Sequence, residues 1–145
     1  MERPQEVLVD VIGLGSGVVD RLRELNMPVR GINVAESPST KKTYLNLRAE
    51  LWFKIKDWLS QRDCKIPNDD EFINELASPG YKYTSSGKIK IESKEEMRKR
   101  GIKSPDKADA FALTMASGVT SYGGGESFMG YNFKKPLKSK IYRVG

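Results

Sequence analysis

Asp10, Asp106 and Asp109 stand where a carboxylate is costly unless it has a task. Asp10 interrupts Val7-Leu-Val-Asp-Val-Ile12, a β-branched apolar run that reads as a strand buried on both faces. A charge inside such a run must be paired, hydrogen-bonded or bound to a metal, because an isolated buried charge is very unfavourable. Asp106 and Asp109 lie in the opening turns of a helix that begins at Ser104-Pro-Asp106. At a spacing of three they share one face. The positive end of the helix accounts for Asp106 without any ligand. It accounts less well for Asp109, set among Ala108, Ala110 and Phe111.

If Asp10 meets this pair, the three carboxylates form an all-oxygen site for a divalent ion, the kind of site that drives phosphodiester hydrolysis by in-line displacement. The composition points the same way. The chain has no histidine, so ligands come from oxygen and favour hard ions, Mg2+ or Mn2+. Histidine-dependent triads are excluded. The single cysteine, Cys64, excludes an internal disulfide and a cysteine-based zinc site.

Two other sets invite chemistry. Gly13-Leu-Gly-Ser-Gly17 follows the Asp10 strand, as a dinucleotide-binding loop would. The fingerprint requires a third glycine where this sequence has Val18. Glycines serving a tight strand-to-helix turn are the simpler reading. Lys82, Lys88, Lys90, Lys94, Arg98 and Lys99 gather on a predicted hairpin and the helix after it. A solvated face is the default for such a run. Contact with nucleic-acid phosphates is the alternative if the metal site forms.

The elements that position these residues read as α/β. A strand over 7–12, a helix over 18–26 capped by Ser16 or Gly17, and a strand over 29–34 form a βαβ unit with parallel strands. An amphipathic helix runs from about Lys42 to Gln61, its stripe of Leu45, Ala49, Trp52, Phe53 and Leu59 read as core. Pro67-Asn-Asp-Asp-Glu71 opens a short helix to Leu76. Residues 81–84 and 88–92 alternate around Ser85-Ser-Gly87 as a β-hairpin. Ser93-Lys-Glu-Glu96 resembles a capping box for a helix ending at Gly101. Ser104 caps and Pro105 opens the last helix, whose continuation over 108–117 is small and apolar.

The chain has 145 residues, 38% hydrophobic and 30% charged, with a formal net charge of +6. That suffices for one modest core. It favours phosphate-rich partners, double-stranded DNA among them. No apolar run approaches the roughly 18 residues needed to span a bilayer. The first residues lack the apolar stretch of a signal peptide. The expectation is no membrane partner and a cytoplasmic location, that of the host cell for a viral protein.

Five segments in order resemble a known family: Val9-Asp10-x-x-Gly13-x-Gly15-x-Gly17-Val18-Val19-Asp20-x-Leu22, Val29-x-Gly31-x-Asn33-Val34, Tyr44-x-Asn46-x-Arg48-Ala49-Glu50-Leu51-Trp52, Ile91-Glu-Ser-Lys94 and Ser104-Pro-Asp106-x-Ala-Asp109-Ala110. Together they resemble the nuclease domain of phage terminase large subunits over about residues 5–118. The resemblance implies a ribonuclease-H-like fold and Mg2+- or Mn2+-dependent cleavage of concatemeric viral DNA. By this resemblance Asp10 matches a catalytic aspartate on a later strand, and Asp106 or Asp109 the one in the last helix. Lys94 falls in a motif near the DNA, and the basic set Lys88, Lys90, Lys94 and Arg98 would hold its backbone. Portal or small terminase subunit would be the protein partner.

The family's pattern also places a first catalytic strand and several antiparallel strands ahead of Asp10, where this sequence has nine residues, and no Gly-x-x-x-x-Gly-Lys-Ser/Thr loop occurs. The expectation is a partial nuclease domain over residues 1–120, short of one metal ligand, and a flexible basic tail over 121–145. Three functions follow: a terminase nuclease fragment, a catalytically inactive prophage remnant that only binds DNA or a packaging partner, and a small nucleotide-binding α/β protein.

Overall fold

A computed structural model describes residues 4–116. The proposed tail over 121–145 lies outside the described residues. The predicted βαβ unit forms. Strand β1 (Val7–Asp10) pairs in parallel with β2 (Val29–Ile32), Asp10 opposite Ile32, and α1 (Gly15–Glu24) connects them. Both strands are shorter than predicted and β1 is half-buried along its length rather than enclosed. The cause is that this sheet has two strands among the described residues. Helix α1 begins ahead of the expected start, at Gly15, with Leu14 as an N-cap that supplies no side-chain bond.

Gly13 adopts φ +70°, a conformation glycine enters without steric cost. A β-carbon on Gly15 would collide with the Asp10 carbonyl oxygen. The glycines therefore let the chain turn tightly off the end of β1.

Helix α2 (Leu47–Ser60) starts five residues later than expected. Two bonding patterns stop it. Asn46 caps it by accepting from the Ala49 N–H. Residues 43–45 spend their backbone groups on the hairpin instead, the Ile89 N–H donating to Thr43 and the Leu45 N–H donating to Ile89. Helix α3 (Asp70–Ala77) is capped by Asp69. Antiparallel β3 (Tyr81–Tyr83) and β4 (Ile89–Ile91) make the hairpin. Helix α4 (Lys94–Lys99) carries the predicted capping box of Ser93 and Glu96.

Helix α5 (Asp106–Thr114) has Pro105 at its N-cap and no side-chain cap of its own. Ser104, the expected cap, bonds to the Asp106 carboxylate instead. Glu75 of α3 accepts from the Ala108 N–H and satisfies one of the helix's orphan donors from outside.

One core joins these parts. Ile32, Leu51, Trp52, Ile55, Phe72, Ile91, Ala112 and Leu113 are buried together, each large side chain contributing about 1.5–3 kcal/mol. Alternation along β1 and β2 puts Leu8 and Ile32 on the side of this core, while Gly31 faces Val19 of α1. Asp10, two residues from Leu8, therefore emerges on the core side, toward α5. No helix among the described residues is long and apolar enough to cross a membrane.

Candidate metal and phosphate site

The last residue of β1 and the first turns of α5 open onto one cavity of about 440 Å³. Asp10, Asp106 and Asp109 line it together with Arg48, Lys90 and Lys94. Chain direction explains the placement. A parallel pair delivers the C-terminal ends of its strands to one edge, where sites of open α/β sheets form. Helix α5 lies against β1 and α2 and brings its N-terminus to that edge.

The three aspartates are held differently. Asp10 Oδ1 accepts from the Ile12 N–H at 3.0 Å, and Asp10 forms no ion pair among the described residues. Asp106 is exposed at its side chain (69%). It accepts from the Ser104 hydroxyl at 2.7 Å and from Lys94 at 3.1 Å. The Ser104 hydroxyl first, and Lys94 next, hold its carboxyl below the usual aspartate range.

Asp109 is mostly covered. Its Oδ1 accepts from Arg48 Nε at 3.3 Å, Arg48 Nη2 at 3.1 Å and Trp52 Nε1 at 3.0 Å. Its Oδ2 lies 3.3 Å from Lys94 Nζ. Lys94 thus sits between two carboxylates. Burial disfavours its charge, but the bonds and charges of Asp106 and Asp109 outweigh that and raise its pKa.

Of the four basic residues expected to touch DNA, Lys90 and Lys94 line the cavity, while Lys88 and Arg98 do not. Lys90 and Lys82 share Glu96, at 3.5 and 2.7 Å. Sequence reasoning missed Arg48 as the partner of Asp109 and read Trp52 as core alone. Their spacing of four on α2, which puts both on one face, was the available signal.

The donor set suits a hard cation in kind, since magnesium is held by one or two carboxylates and completes its shell with water and substrate phosphate. Among the described residues no group of three or more acidic, histidine or cysteine side chains closes around a single point. Asp10 and Asp106 are the two carboxylates at this cavity that are not enclosed by Arg48 and Trp52.

No family model and no curated protein matches the sequence. Solved structures do. A lysine-to-alanine variant of the nuclease domain of the large terminase subunit gp2 of bacterial virus Sf6, solved with manganese and beta-thujaplicinol, is similar at a TM-score of 0.65 and 21% identity, over 77% of this chain and 65% of that one. A variant of the same domain from bacteriophage Sf6 with calcium gives 0.65 and 20%, over 77% and 65%. The nuclease domain of gp2 gives 0.64 and 23%, again over 77% and 65%. The chain therefore spans about 65% of the domains it matches. What it shares with them is their architecture, the ribonuclease-H-like fold of the nuclease domain of phage large terminase subunits.

Proposed function

We propose that this chain is a nuclease module of a viral DNA-packaging terminase, acting on concatemeric double-stranded DNA with Mg2+ or Mn2+. The observation that carries the reading is the opening of Asp10 and Asp106, 96 positions apart in sequence, onto one cavity. The fold supports it, because nuclease domains of this architecture have been solved with manganese and with calcium.

In this reading Asp10 and Asp106 hold the ion. Among the described residues one Asp10 oxygen takes no protein donor, and Asp106 is the exposed member of the helical pair. Bound there, the ion supplies Lewis-acid activation of a phosphodiester and neutralises charge in the transition state. The chain's own cations do the rest. Lys90 and Lys94 at the cavity attract the DNA backbone and fix its register without reading bases. Cleavage should accordingly show little sequence preference.

Plasmid nicking tests this directly. The full chain should nick supercoiled plasmid in Mn2+ or Mg2+, and Asp10→Ala and Asp106→Ala should each abolish nicking. A second reading is favoured by one observation, the resident Lys94 ammonium between Asp106 and Asp109. A chain in which that ammonium permanently neutralises the carboxylates would bind DNA, or a portal or small terminase subunit, without cutting. Salt-sensitive DNA retention with no nicking at any Mn2+ concentration would establish that reading and end the first.

A further inference from the structure

In the segment Tyr44–Trp52, Asn46, Arg48 and Glu50 are polar side chains that the metal chemistry does not use, and each is held by hydrogen bonds. Asn46 caps α2. Glu50 accepts from the Ser39 and Thr40 backbone and the Ser39 hydroxyl. Arg48, with Trp52 one turn later, converges on Asp109. Arg48 also donates from Nη1 to the Glu92 carbonyl at 2.7 Å, at the turn between β4 and α4 that carries Lys94. One guanidinium therefore ties α2 to the start of α5 and to the Lys94 turn together.

We infer that Asp109 is a positioning residue rather than a metal ligand, and that Arg48 and Trp52 use it to set the start of α5 so that Asp106 faces Asp10. The inference rests on the metal reading above and divides the labour within that site. A carboxylate offers about four lone-pair directions on its two oxygens. Three N–H groups already crowd Oδ1, and Lys94 stands beside Oδ2. Two of those donors belong to an arginine whose charge cannot be removed at physiological pH. A divalent ion at Asp109 would have to displace them against their own charge. Among the described residues Asp106 shares Lys94 with Asp109 but accepts nothing from Arg48 or Trp52, so the lysine is the only cation an ion there has to displace.

Arginine is required because its planar fork serves Asp109 with one edge and the Glu92 carbonyl with another, which a lysine ammonium cannot reproduce. Trp52 adds an uncharged donor that orients the carboxylate while the indole packs in the core.

The test measures Mn2+ binding to the full chain by electron paramagnetic resonance, alongside amide hydrogen exchange of residues 108–110 without metal. Circular dichroism checks that each variant folds. Asp106→Asn should abolish binding. Asp109→Asn, which keeps an acceptor for Trp52, should retain one bound Mn2+ with affinity weakened no more than about fivefold. Arg48→Ala should weaken binding by about tenfold or more and speed exchange at 108–110, and Arg48→Lys should restore less than half of either loss. Loss of Mn2+ in Asp109→Asn as complete as in Asp106→Asn would overturn the inference. So would exchange at 108–110 unchanged by Arg48→Ala. If the unmodified chain binds no Mn2+, the metal reading fails, and the exchange data still decide whether Arg48 positions α5.

Discussion

The Lys94 ammonium lies 3.1 Å from the Asp106 carboxylate, on the ground a divalent ion would claim. Bound metal and bound lysine compete for the same negative charge. A partly exposed pair of this kind is worth up to about 1 kcal/mol, or about fivefold in affinity. Lys94→Ala should therefore tighten Mn2+ binding about three- to fivefold. Calorimetric titration checks it, and an unchanged affinity would mean that the ion does not bind at Asp106.

Gly15 sits against the Asp10 carbonyl. Gly15→Ala should force the start of α1 away from β1, costing about 2 kcal/mol or more, within the range of overpacking effects. Urea unfolding gives the loss of stability. The same displacement should move Asp10 and reduce any metal-dependent nicking, whereas Gly17→Ala, where an added β-carbon meets open space, should do neither.

Glu50 is 1% exposed and pairs with Lys54 at 2.8 Å while holding the Ser39–Thr40 loop. Burial alone would raise its pKa, but the bonds from Lys54 and Ser39 outweigh it and the net shift is downward. Glu50→Ala strands those donors and should cost about 3 kcal/mol. Glu50→Gln keeps an acceptor and should cost less than half as much. Equal losses in urea melts would show that volume, not hydrogen bonding, is what Glu50 supplies.

Glu96 is drawn down to about 2 from its ordinary 4.5, first by the Lys82 ammonium and then by the Ser93 N–H. Because its folded value lies below its unfolded one, the stability it contributes is present above pH 4.5 and disappears as pH falls toward 2. Glu96→Gln should be less stable than the parent near neutrality, and the difference should shrink steadily through that acid window. A difference that stays constant from pH 6 to pH 3 would rule out the ionised carboxylate as its source.

Local signals carried much of the architecture. The βαβ unit, the hairpin around Gly87, the capping box of Ser93 and Glu96, and the last helix each depend on contacts within a few residues, so periodicity and turn chemistry reveal them. Helix starts were less legible. The detour of residues 43–45 to Ile89 delayed α2 to the local cap at Asn46, and Glu75 capped α5 from another helix; the Ile89 and Glu75 bonds join segments remote in sequence.

The same division holds at the site. The amino-acid sequence alone determined that any metal here meets oxygen ligands, since it supplies no histidine and one cysteine, and it singled out Asp10, Asp106 and Asp109 by their settings. Only the tertiary structure decided what surrounds each carboxylate among the described residues: Asp10 without an ion pair, Asp106 exposed beside Lys94, Asp109 enclosed by Arg48 and Trp52. Hydrogen bonds reach about 3 Å, and Arg48 and Asp109 are 61 positions apart. Their meeting is a property of how α2 packs on α5, which no spacing along the chain encodes.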